Sequence, residues 1–95
     1  MVRRLFLPAA EAGRAITRMA PASKKALRQA LETLRQEGPD AEGLDVKALS
    51  PPAGMAPVYR LRVGTWRVAF RMRGADIEVV HIFPRKDGYG WMERL

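Results

Sequence analysis

The sequence predicts an α+β fold: an antiparallel sheet with an N-terminal helical hairpin on one face, in the order β-α-α-β-β-β. Two observations carry this. Residues 58–83 hold three runs of β-forming side chains, largely alternating, joined by short turns that begin at Gly64 and Gly74. Residues 8–37 instead repeat their apolar side chains at helical spacing, with one break before Pro21. Ninety-five residues suit one small domain, assigned to the whole chain, 1–95.

Each element has a local cause. VRRLFL (2–7) is short and stopped by Pro8, which suits an edge strand. From Pro8 to Ala20 the spacing becomes helical, with Ala12, Ile16 and Met19 on one face. Pro21 opens a second helix that runs to Glu37 and stops at Gly38-Pro39. Its Leu27, Leu31 and Leu34 form an apolar stripe. The tight break between the helices predicts an antiparallel hairpin. Residues 38–57 are rich in Pro and Gly and read as a loop, with a brief extended piece around Leu44–Leu49. Three strands follow: Val58–Val63, Trp66–Arg73 and Ile77–Phe83, the last ended by Pro84. Short turns make them an antiparallel meander. The tail, PRKDGYGWMERL, reads as an ordered loop or a short terminal turn.

The net charge is +7, which directs the protein toward polyanions: nucleic acid, the ribosome, an acidic partner or anionic lipid. The charge is concentrated. The stretch YRLRVGTWRVAFRMR (59–73) carries five arginines and no acid. There is no cysteine, which excludes disulfides, thiolate zinc sites and cysteine nucleophiles and fits a reducing cytoplasm. No apolar run approaches the ~20 residues needed to span a bilayer, so a cytoplasmic location without membrane contact is expected. One histidine and scattered carboxylates make no metal-ligand set, and no cofactor is implied.

Strand alternation separates the arginines from the core. Tyr59, Leu61 and Val63 point one way, with Trp66, Val68, Phe70 and Met72. Arg60 and Arg62 point the other way, with Arg67, Ala69, Arg71 and Arg73. The apolar rows must meet the helices, so the arginine rows share an uncovered face. Arg85 follows the last strand at the parity of His81 and Phe83, and Tyr89 lies close enough in sequence to fold back over that face. Such a row is ordinarily just the solvated side of an amphipathic sheet. Here, however, no acid interrupts it before Asp76 and Glu78, although like charges across strands repel. Arginine also matches phosphate geometry, and aromatic residues able to stack on bases lie nearby in the tail.

The run YRLRVGTWRVAFRM, followed by a strand and then PRKDGYGW, resembles the RelE/ParE toxin superfamily. The resemblance covers almost the whole chain, with its specific part in the C-terminal half. It implies a RelE-like fold and a toxin of a type II toxin–antitoxin system. Such a toxin is an mRNA endonuclease that works in the ribosomal A site without a metal, by attack of a 2′-hydroxyl on the adjacent phosphate. By position, Arg60 and Arg62 fall where the family has paired basic residues, Arg67 at its phosphate-binding arginine, Arg85 at the arginine after the last strand, and Tyr89 at its C-terminal tyrosine. These five are the candidate catalytic residues. Arg71, Arg73, Lys86 and Trp91 are candidate RNA contacts.

The sequence departs from the family in two ways: arginine stands where RelE members often use lysine, and Pro84 where many relatives have a polar residue. Tyr89 and Lys86 are then the candidates for proton transfer, since arginine is a poor base. His81, inside the apolar run VVHIF, reads as a packed strand histidine. Implied partners are the ribosome and mRNA, an acidic antitoxin, and operator DNA only in the antitoxin's company. Two other readings stand beside the nuclease. One is a ParE-like gyrase inhibitor that does no chemistry, and the other an inactive member that only binds antitoxin or nucleic acid.

Overall fold

The computed structural model describes residues 3–49, 54 and 56–94. The predicted strand start at Val2 and positions 50–53 and 55 of the predicted loop lie outside the described residues.

Leu5–Phe6 form a two-residue strand, β1. Helix α1 covers Ala9–Thr17, with Pro8 just before its first turn. Helix α2 covers Pro21–Glu37, with its proline in the first turn, where a missing N–H costs nothing. Gly38 ends α2 at a φ of 90°, and its N–H donates to the Leu34 carbonyl at 2.9 Å. The positive φ is what favours glycine there; the Arg3 guanidinium, which a Cβ at this position would meet at 2.8 Å, is the end of a flexible side chain and can move aside. Asp45–Leu49 form β2, Val58–Val63 β3, Trp66–Arg73 β4 and Asp76–Pro84 β5. Gly64, at a φ of 59°, opens the two-residue turn between β3 and β4; a positive φ at that position is what a tight hairpin of this kind demands. Two short 3₁₀ turns, Arg85–Asp87 and Gly90–Arg94, form the tail.

The sheet order is β1-β5-β4-β3-β2. The predicted meander is present, but the sheet differs from the expectation at both edges. β1 pairs parallel with β5, so the sheet is mixed rather than wholly antiparallel. β2, the segment read as a brief extended piece, is a full edge strand antiparallel to β3.

The helices cover one face. Ala12, Ala15 and Met19 of the α1 segment and Leu27 and Leu34 of α2 pack with Leu61, Val63, Trp66, Val68, Phe70, Ile77, Val79 and Ile82. Fully burying one of the valine, leucine, isoleucine, methionine or phenylalanine side chains is worth about 1.5–3 kcal/mol. The strand parity of β3 and β4 is as the alternation predicts.

β5 does not alternate strictly. Ala69 pairs with His81 while Phe70 pairs with Val79, so Val80 is an extra residue. This bulge resolves a conflict in the sequence: Ile77 and Val79 face the helices, whereas His81 and Phe83, though of the same parity, face the other side.

The second face is not fully open. Val58, Ala69, Phe83 and Trp91 form a separate buried cluster there, with Leu49, Val80 and Met92 at its margin. The tail folds back over the middle of the arginine face, because Ala69 and Phe83 leave an apolar strip between the charged positions. Among the described residues, no helix is long and apolar enough to cross a membrane.

Candidate functional site

The site is built where β3, β4 and the start of the tail meet. Arg62 on β3 and Arg67 on β4 are direct cross-strand partners, and Arg67 in turn faces Phe83 on β5. Arg60 lies two residues along β3, opposite Ala69. Arg85 is the first residue after β5. Its N–H donates to the Thr65 carbonyl at 2.8 Å, which ties the tail to the β3–β4 turn.

Arg67 is the centre of this group. It is 7% exposed, the one buried charged residue among those described. Its Nη1 donates to the carbonyls of Gly64 and Trp66, both at 3.0 Å. These acceptors are neutral, and among the described residues no carboxylate forms an ion pair with it. Burial lowers its pKa, and the guanidiniums of Arg62, Arg60 and Arg85 lower it further, while Tyr89 acts in the opposite sense. Guanidinium stays protonated at any ordinary pH. The result is a desolvated cation, held by the strand backbone, that lacks an anion. Such a charge is unfavourable alone and favourable beside a phosphate.

Tyr89 stands over the same spot. Its ring meets Phe83 edge-on at 5.6 Å and remains 41% exposed. Phe83, buried beneath it, makes the floor. The structure therefore brings Arg60, Arg62, Arg67, Arg85 and Tyr89 into one electrostatic neighbourhood.

The other predicted RNA-facing residues are placed differently. Arg71 and Arg73 sit at the far end of β4, both paired with Glu78, at 3.5 and 2.9 Å. Six residues of strand put Arg73 roughly 20 Å from Arg67. Lys86 is exposed in the first 3₁₀ turn, beside Arg85. Trp91 is only 7% exposed and packs on Phe83 and His81 at 5.3 and 5.1 Å. Its ring belongs to the second core, with little surface left for RNA. His81 stacks on Phe83 at 5.2 Å, and its Nδ1 meets the Glu11 carboxylate of α1. It is a packed strand histidine.

Asp45 is a member of the site that the sequence reading does not include. It lies on β2 opposite Arg62, and its carboxylate reaches Arg60 at 3.2 Å and Arg62 at 3.9 Å. The arginine row is thus not free of acid, contrary to the expectation from residues 59–73. The signal for it is local: in LDVKA, Leu44 and Val46 face the core while Asp45 and Lys47 are exposed. Among the described residues no group of three or more metal-ligating side chains is gathered.

No protein-family model and no curated protein sequence matches the chain. Solved structures do. The chain superposes on the archaeal RelE–RelB complex from Pyrococcus horikoshii OT3 with a TM-score of 0.72 and 23% identity, covering 90% of this chain and 97% of that one. It superposes on the RelB–RelE antitoxin–toxin complex from Methanococcus jannaschii with a TM-score of 0.70 and 21% identity, covering 92% and 96%. The fold is RelE-like. At these identities the likeness concerns the RelE-like architecture, and the chemistry must be argued from the side chains.

Proposed function

We propose that this RelE-like protein is the toxin of a type II toxin–antitoxin pair and cleaves mRNA in the ribosomal A site without a metal. The observation that carries the reading is the buried Arg67, without a carboxylate partner among the described residues and ringed by Arg60, Arg62, Arg85 and Tyr89.

The chemistry follows from the group. The 2′-oxygen of one nucleotide bonds to the adjacent phosphorus, and the bond to the 5′ oxygen breaks. This leaves a cyclic phosphate and a free 5′-hydroxyl. Negative charge grows on the phosphorane oxygens, and fixed, desolvated donors stabilise it more than the ground state. Arg67 is such a donor, pinned by its two carbonyl acceptors. Arg62 and Arg85 flank it. One proton leaves the 2′-hydroxyl and one reaches the 5′ oxygen, and we assign this exchange to Tyr89. It is near enough to act on Arg67, whereas Lys86 lines a hollow with Arg18 and Trp66.

A partner is also implied. The +7 charge and the buried Arg67 guanidinium, which no carboxylate among the described residues pairs, favour an acidic antitoxin that covers this face. The solved RelE-like neighbours are themselves complexes of two proteins. The test is induced expression of the wild type and of an Arg67→Ala/Arg85→Ala double variant. Growth arrest with codon-phased mRNA cuts in the wild type alone is expected. Equal toxicity of the two, without such cuts, would remove the nuclease reading, and inhibition of gyrase supercoiling would replace it with the ParE-like one.

A further inference from the structure

Arg85 belongs to two surroundings. On one side lies the Arg67 group. On the other, Arg85 lines an open hollow of about 620 Å³ with Arg18, Thr65, Trp66, Pro84 and Lys86. This hollow sits where α1 ends above the β3–β4 turn. Arg18 follows the last residue of α1, and its Cζ stands 5.9 Å from the centroid of the Trp66 ring. Trp66 is itself buried, so the ring is a fixed platform that orients the guanidinium and leaves its N–H edge for an oxygen ligand. Arg18, Arg85 and Lys86 are all exposed. None of the described residues lining the hollow is acidic. Arg18 also borders a neighbouring groove that contains Glu11 and Asp87, but among the described residues no ion pair ties it to either.

Three cations around one concavity repel each other unless an anion joins them. An RNA strand at the Arg67 group has further phosphates on either side, and Arg85 is common to both places. We propose that the hollow is a second backbone subsite, in which Arg18, Arg85 and Lys86 hold a phosphate of the same single-stranded RNA, flanking the scissile one. It deepens the nuclease reading and involves no bond making.

The experiment is binding of a short fluorescein-labelled single-stranded RNA, followed by anisotropy over a salt series. Arg18 is outside the cleavage group, so Arg18→Gln is the informative variant, with a urea midpoint checking that it folds. Removing one cation from the phosphates should reduce the slope of log K against log salt by about 0.7. The loss should appear in the wild type and in an Arg67→Gln background, and Arg18→Lys should restore the slope. Unchanged slope and affinity in Arg18→Gln, with both reduced in Arg67→Gln, would overturn the subsite and leave the RNA site standing. A reduced slope in a protein that cuts no mRNA on ribosomes would support the subsite and remove the nuclease reading. Absence of RNA binding by the folded wild type would overturn the subsite, while cleavage on ribosomes decides the nuclease reading separately.

Discussion

Arg62 and Arg67 face each other directly across β3 and β4, two like charges at a register position where sheets ordinarily place opposite ones. Arg67 is buried and holds its charge against desolvation as well as against Arg62, Arg60 and Arg85. The arrangement is unfavourable for the free protein, and an anion would reverse that.

Added salt should therefore stabilise the fold. From about 0.01 M to about 1 M salt the Debye length falls from about 30 Å to about 3 Å, which removes most repulsion between exposed charges. Thermal unfolding of the wild type should move to higher temperature across that range. The rise should be smaller in Arg62→Gln, which lacks the half-exposed member of the cross-strand pair. Equal rises in the two proteins would show that the cluster contributes nothing to the salt response.

Asp45 is the counter-ion of the outer arginines, and it is exposed, so its ion pairs are worth at most about 1 kcal/mol to the fold. Asp45→Asn should change the urea midpoint little. It should tighten RNA binding, because Arg60 and Arg62 are then free for phosphate. The salt slope should steepen by up to about 0.7 for each of the two arginines that takes up a phosphate. Weaker RNA binding in this variant would argue that Asp45 positions the arginines instead.

Trp91 roofs the second core. Trp91→Ala should destabilise the protein by about 3–5 kcal/mol, the range for deleting a large buried aromatic side chain. In a small domain that is a large share of the total. Trp91→Phe should cost less. Urea unfolding measures both, and a loss below about 1 kcal/mol for the alanine variant would contradict the packing role.

Glu32 gives a defined acid response. The side-chain hydrogen bond from Arg35, then that from Gln36, lowers its pKa from the ordinary 4.5 to about 2. A depressed carboxylate adds stability that is complete above its unfolded value and is lost as pH falls through the folded one. The loss attributable to Glu32 thus falls between pH 4.5 and about 2. Glu32→Gln should flatten the stability profile in that window only. An unchanged profile in a titration of the urea midpoint would contradict it.

Much of the fold is legible in the chain because its causes are local. α2, β3 and β4 have the boundaries that Pro21, Gly38, Gly64 and the alternation indicate. The apolar parity of β3 and β4 follows from the same pattern. Non-local features are less accessible. β1 is two residues long and finds its partner, β5, from the opposite end of the chain, so nothing nearby marks the pairing as parallel. β2 lies beside a Pro- and Gly-rich stretch that masks its alternation, and with it Asp45. The bulge at Val80 reverses the parity of His81 and Phe83, and a strand that is mostly apolar on both faces gives no sign of such a reversal. The convergence of Arg67, Arg85 and Tyr89 depends on that bulge and on the tail folding back, and so on tertiary structure.

The most direct measurement is product analysis on purified ribosomes carrying a defined mRNA with an empty A site. The wild type should cut the mRNA once within the A-site codon, leaving a 2′,3′-cyclic phosphate and a 5′-hydroxyl. Arg67→Gln should slow the single-turnover rate by about 100- to 1,000-fold, the usual effect of deleting one preorganised donor. An intact message with the wild type, or equal rates for wild type and Arg67→Gln, would contradict the assignment of this face to RNA cleavage.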